Sequence, residues 1–193
     1  MRVIAPFDSA QGAMTLIALT ALAVAIKLAG KGEEEFFAQR VEQLQIQDSV
    51  EFLGIVPTQT LEPLMREADV VLVTSRHEYP EGFPLTIQHA LRTRTPIVAS
   101  DHPMFTTHLK HGINSIIFEA GNSQALAECI KKIVSDAPLY RSISVASHAT
   151  WHQLRLPVKW AEFIDRWLDD SPESKQWLLE QRLASGAYNS RQS

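Results

Sequence analysis

The sequence holds one cysteine, Cys129, so it builds neither a disulfide framework nor a paired-cysteine metal site. Set in the helical pattern Ala125–Val134, that thiol is expected to be a buried, inert packing residue, and a reducing cytoplasm fits. Positive charge is not in excess: 18 Lys and Arg face 22 Asp and Glu, for a net −4. A chain without a basic stripe is not expected to bind nucleic acid. The dinucleotide fingerprint is missing, because Glu35 and Phe36 occupy the neighbourhood where Gly30-Lys31-Gly32 would need its third glycine. A Walker loop and a Gly-x-Ser-x-Gly nucleophile elbow are missing too, which leaves hydrolase chemistry without a nucleophile. His108 and His111 stand at i, i+3 and His148 and His152 at i, i+4, but no carboxylate or cysteine completes a ligand set, so no metal is expected. The uncharged run Ser9 to Ile26 spans 18 residues, the short limit for a membrane span. It carries Gln11 and two threonines and has only Arg2 as a basic flank, so a buried helix is expected rather than a targeting or transmembrane segment.

What is present is globular. Hydrophobic residues make up 45% and charged residues 21% of the 193 positions, enough for one domain with a sizeable core and a tail. Short apolar runs alternate with amphipathic stretches. Strands are expected at Val3–Ala5, Ile26–Ala29, Val50–Leu53, Val70–Val73, Ile97–Ala99 and Ser115–Phe118. Helices are expected at Ala13–Val24, Glu33–Leu44, Thr60–Glu67, Pro84–Thr93, Met104–Lys110 and Ser123–Ser135. Strands this short and continuously apolar suit a parallel sheet covered on both faces. The repeated β-then-α order predicts an α/β fold: a doubly wound, Rossmann-like sheet of about six strands, with ligands at the strands' carboxyl ends. After residue 136 the strands stop. Three helices are expected over Pro138–His152, Pro157–Leu168 and Pro172–Ser185, each with a proline near its start, and all four tryptophans fall here. Residues 1–135 are thus read as a nucleotide-binding type of domain and 136–193 as a helical extension. Trp160, Phe163, Ile164 and Trp167 form one apolar helical face, for packing on this domain or on a second domain or subunit.

Chemistry concentrates in Thr74-Ser-Arg-His-Glu-Tyr-Pro-Glu-Gly-Phe-Pro84, after the strand Val70–Val73. Gly82 is read as permitting a tight turn and Pro84 as the first helical position. The amides from Phe83 to Thr86 would then be open to a phosphate, with Glu81 placed to accept hydrogen bonds from hydroxyls. A site taking both phosphate and hydroxyls suits a sugar nucleotide; an ordinary loop with capping chemistry is the other reading.

These residues resemble the C-terminal, donor-binding domain of the glycosyl transferases group 1 family (glycosyltransferase family 4, GT-B fold). The resemblance rests on Ile26–Gly32, Val50–Pro57, Leu61-x-x-Leu64 with Ala68–Val73, Glu81-Gly-Phe-Pro84 with Thr95–Val98, and His111–Asn114 with Gly121–Ala127, in family order. It implies sugar transfer from a nucleotide-diphosphate donor, with no other cofactor, to an unknown acceptor. Gly54 to Pro57, including Val56, would lie near the base, and Gly30 and Lys31 of the glycine loop would be donor-binding. Glu81 would be the catalytic-site carboxylate touching the donor sugar. Amides of Gly82, Phe83, Pro84-flanking residues and Leu85 would hold hydroxyls and diphosphate. Three departures stand out. His89 replaces the Glu expected at the ribose. Pro6 and Gln11 stand where the family carries Arg and Lys against the diphosphate, each such group being worth on the order of 10² in rate; Lys31 or Arg76 would have to substitute. The recognisable domain begins almost at Met1, so the acceptor domain is expected to be missing or to be a separate partner, and the chain truncated or degenerate. The alternative is a non-catalytic nucleotide-sugar-binding or protein-docking module; a nucleotide-sugar epimerase on the same fold is a third reading.

Overall fold

The protein is described by a computed structural model covering residues 1–6, 24–32, 34–156 and 158–186. The helix expected over Ala13–Val24 lies, except for Val24, outside these residues. The chain divides into two compact units, Met1–Trp151 and His152–Ser193.

The first unit is built on six parallel strands: β1 (Arg2–Pro6), β2 (Ala25–Ala29), β3 (Val50–Gly54), β4 (Val70–Val73), β5 (Ile97–Ser100) and β6 (Ile116–Phe118). They lie in the order β3-β2-β1-β4-β5-β6, the doubly wound arrangement that the alternating pattern predicts. Central strand β4 shows why: all four residues, Val-Val-Leu-Val, are buried, so no polar face is needed. Full burial of a side chain such as Leu72 contributes about 1.5–3 kcal/mol, offset by the entropy of ordering it. The helices of this unit are α1 (Glu34–Gln43), α2 (Thr58–Glu67), α3 (Leu85–Thr93), α4 (Pro103–Thr106), α5 (Ser123–Ser135) and all but the last three residues of α6 (Ala137–Leu154). Phe37 and Val41 of α1, Leu126 and Ile130 of α5, and Ile143 of α6 join the core with the strands.

Local chemistry sets the boundaries. The Asn122 side chain accepts from the Ala125 amide at 2.9 Å and caps α5, as the Gly121-Asn122-Ser123 turn suggests. The expected helix Met104–Lys110 is cut to the single turn of α4. Asn114 explains the loss: its Oδ1 accepts from the Lys110 amide at 2.7 Å, and its Nδ2 donates to the His108 carbonyl at 3.0 Å. Those groups are thereby taken out of a helical ladder. Cys129 is half-buried, and burial pushes its thiol above the ordinary range.

Helix α6 runs longer than the Pro138–His152 pattern. Its Tyr140 hydroxyl donates to the Asp69 carbonyl at 3.0 Å, and Asp69 Oδ2 accepts from the Arg2 amide at 2.7 Å. One aspartate thus ties the start of β4 to β1 and to α6.

The second unit contains α7 (Trp160–Asp169) and α8 (Pro172–Glu180). Pro138 and Pro172 sit in first turns as expected, but α7 starts at Trp160 behind Lys159 and not at a proline. Asp169 accepts from the hydroxyls of Ser171 and Ser174, and those bonds hold its carboxyl below the ordinary range. The Arg166 guanidinium lies 5.3 Å over the Trp177 ring. Trp160 and Trp167 are exposed, while Phe163 and Ile164 are half-buried. Among the described residues no helix is long and apolar enough to cross a membrane.

Candidate functional site

Strand order reverses between β1 and β4, and a cavity of about 290 Å³ opens at the carboxyl ends of the strands there. Ile4 and Ala5 of β1 and Val71 of β4 line it, with Leu61 and Met65 of α2. The β2 end contributes Gly30 and Lys31, the loop after β3 contributes Ile55 and Val56, and α3 contributes Thr86. Among the described residues the lining is largely apolar, with Lys31 as its cation.

Two glycines shape one wall. Pairing of β2 with β3 slips after Leu28, so that Ala29 meets Gly54 and Leu53 is left over as a bulge. Gly54 then takes φ +61°, and its carbonyl accepts from the Gly30 amide at 2.8 Å. That bulge carries Ile55 and Val56 to the cavity, with Ile55 75% exposed.

The opposite wall is the start of α3. Pro84 is the N-cap and not the first helical residue, because its ψ of 140° is still extended. Its carbonyl accepts from Ile87 and Gln88. The amides of Leu85 and Thr86 make no hydrogen bond among the described residues, leaving two donors at the positive end of a nine-residue helix. Gly82, read as permitting a tight turn, does not use the left-handed region to do so. Its φ is not positive, and a Cβ built on it meets nothing within 4 Å.

The loop between β4 and α3 is pinned at several points. The buried Ser75 hydroxyl donates to Glu81 Oε1 at 2.7 Å, and the buried Ser100 hydroxyl donates to the Ser75 carbonyl at 2.6 Å. His77 Nε2 lies 2.7 Å from Asp101 Oδ1, which also accepts from the Ala120 amide at 2.9 Å. Burial works against ionising Asp101, but the Ala120 amide and the His77 imidazole outweigh it and hold the carboxyl below the usual range. His102, buried, accepts from the Met104 amide through Nδ1, so its Nε2 carries the proton donated to the Tyr79 carbonyl at 3.1 Å. Phe83 meets the His108 ring edge-on, with centroids 5.0 Å apart.

Of the residues singled out from sequence, Gly30, Lys31 and Val56 line the cavity. Glu81, Gly82, Phe83, Pro84 and Leu85 lie on the segment leading into Thr86, outside the lining itself. Arg76 is engaged by Glu78, Nε to Oε1 at 2.8 Å, on an exposed surface. His89 is turned toward α2: its Nδ1 lies 3.1 Å from Glu62 Oε1, which also accepts from Arg92 at 2.7 Å. Arg92 in turn lies 5.8 Å over the Trp151 ring. Pro6 ends β1, and Gln11 lies outside the described residues. Thr86 was expected to offer only its amide, and its place in the cavity lining was not foreseen; Ser75 was not singled out. Ser75 becomes visible only when the loop folds back on Glu81.

The description "Glycosyl transferases group 1" belongs to the family whose sequence profile matches residues 12–149. An uncharacterised glycosyltransferase of Methanocaldococcus jannaschii is 30% identical over 110 residues, 56% of this chain and 27% of that protein. The chain therefore spans about a quarter of the length of that relative. Among solved structures, HepE of Anabaena in complex with UDP superposes with a TM-score of 0.71 at 25% identity, covering 78% of this chain and 44% of HepE. The C-terminal domain of the group 1 protein LpcC from Francisella tularensis shares the fold, with a TM-score of 0.65 at 18% identity over 79% of this chain and 85% of that domain. With the doubly wound sheet, the cavity at its switch point and a family match over most of its length, this chain belongs to the glycosyl transferases group 1 family.

Proposed function

We propose that the Met1–Trp151 unit binds the nucleotide-diphosphate sugar of a glycosyl transfer reaction. The observation that carries the reading is the pair of unbonded amides at Leu85 and Thr86, opening beside a cavity whose opposite rim holds Lys31. Helix N-terminal amides and a lysine are a match for a diphosphate. The apolar wall of Ile55 and Val56 suits the flat face of a base, and Glu81 suits the hydroxyls of the sugar. HepE, of the same fold, was solved with UDP, which supports this assignment. The open space at Gly82 lets a ligand approach the backbone there. No resident cofactor takes part in this proposal. His89 stands one helical turn beyond Thr86 and is fastened to Glu62, so it would have to leave that carboxylate to meet a ribose. Arg76 serves the diphosphate only by leaving Glu78, an exposed pair worth little.

Transfer also needs an acceptor site. Phe36, Ile55, Leu85 and Met104 are exposed apolar side chains near the strands' carboxyl edge, following β2, β3, β4 and β5. Such a rim suits a second domain or a separate subunit that brings the acceptor. We therefore expect this chain alone to bind donor without turning it over. Calorimetric titration with UDP- and GDP-sugars, with donor hydrolysis assayed in the same samples, tests both points. Binding without hydrolysis is the expected result; no binding of either nucleotide sugar sinks the proposal, and hydrolysis by the chain alone sinks its second half.

A further inference from the structure

We infer that Ser75 is a positioning residue for Glu81: its hydroxyl sets the carboxylate that meets the donor's sugar, and Ser100 holds Ser75 in place to do so. This rests on the donor-binding reading of the cleft. Ser75 stands two residues past the end of β4 and is fully buried, with its hydroxyl donating to Glu81 Oε1 at 2.7 Å. Ser100, also fully buried, ends the neighbouring strand β5 and donates to the Ser75 carbonyl at 2.6 Å. Two hydroxyls thus anchor the half-buried Glu81, six residues away along a largely exposed loop, to the rigid centre of the sheet.

The choice of hydroxyl has a chemical consequence. A carboxylate offers about four lone-pair sites, so the Ser75 bond restrains its rotation while occupying only one of them. A lysine or arginine in the place of Ser75 would fix it equally well but would neutralise the charge that attracts sugar hydroxyls. Ser75 orients Glu81 and leaves it an anion. Loss of that bond affects the sugar alone. The base wall at Ile55 and Val56 is set by the bulge at Gly54, and the start of α3 by the bonds of Ile87 and Gln88 to the Pro84 carbonyl, none of which runs through Ser75.

The test compares ligands with and without the sugar on the full chain. UDP, GDP, UDP-glucose and GDP-mannose are titrated calorimetrically into the wild type, S75A, S75C and S100A, with thermal unfolding measured alongside. For S75A, affinity for the sugar-bearing nucleotide is expected to fall about tenfold, while affinity for the matching nucleoside diphosphate stays within about twofold. S75C, with its weak S–H donor, is expected to fall between S75A and the wild type. S100A is expected to show the same selective loss at about threefold, and it carries the test if S75A does not fold. An equal loss for both ligands, or none for either, overturns the inference and leaves donor binding standing. Failure of the wild type to bind any of the four overturns the donor-binding reading and this inference with it.

Discussion

Asn114 carries more of the fold than its place in an exposed turn suggests. It is 5% exposed, accepts from the Lys110 amide, and donates to the His108 carbonyl and, at 2.9 Å, to the Thr150 hydroxyl. Those bonds close the turn before β6 and fasten it to α6. Alanine there would strand buried polar groups, and N114A is expected to lose about 1–3 kcal/mol in urea unfolding, with T150A losing less. Asp101 supports a pH prediction. Its folded-state pKa lies below the ordinary 3.8, so its stabilising contribution is complete above that value and is lost as the pH falls through the lower folded value. The stability gap between wild type and D101N should be open at neutral pH and close below pH 3.8 in acid-unfolding curves. At this scale the sequence was partly legible. His111-Gly-Ile-Asn114 was recognisable as a family segment, but its job depends on Thr150, 36 residues away. The His77–Asp101 pair, 24 apart, has no local signature at all.

At the scale of elements, the strongest patterns were read almost to the residue. Val70–Val73 and Ser123–Ser135 have the expected bounds, because a continuous apolar run between polar breaks and an Asn-capped amphipathic run each leave one local solution. The ends that drifted are those where tertiary groups compete for the backbone, as Asn114 does beyond α4. The two glycines that matter differ in what they do. Gly82 has no positive φ and an open Cβ position, whereas Gly54, with φ +61° and no mark in the sequence beyond its family segment, makes the turn that builds the cavity wall. G54A should therefore cost about 1 kcal/mol of stability through left-handed strain. G82A should leave the melting temperature unchanged or slightly raised, since alanine restricts the unfolded chain, yet weaken binding of the nucleotide sugar where the ligand nears the backbone. A large drop in the melting temperature of G82A would show that the glycine serves the fold.

At the scale of the whole molecule, the division after Trp151 sets an expectation about truncation. A chain ending after Leu154 keeps α6 whole, and with it Ile143, the Tyr140–Asp69 bond and the Asn114–Thr150 bond. It should unfold in one cooperative transition. A chain ending at Asp136, before α6, loses all three features and should melt well below it or fail to fold; equal melting of the two in calorimetry would contradict this.

Sequence by itself determined the alternation of elements, hence the parallel doubly wound sheet and the family, because hydrophobic periodicity and chain connectivity are local properties. It also marked the candidate segments, including Gly30-Lys31, Val56 and the run Glu81 to Leu85. Only the tertiary structure decided which of these share a cavity. Leu61, Met65 and Thr86 meet Lys31 across a switch point set by strand order, and His89 turns to Glu62 because α2 packs beside α3. Such meetings are fixed by packing between distant segments, and no spacing along the chain encodes them.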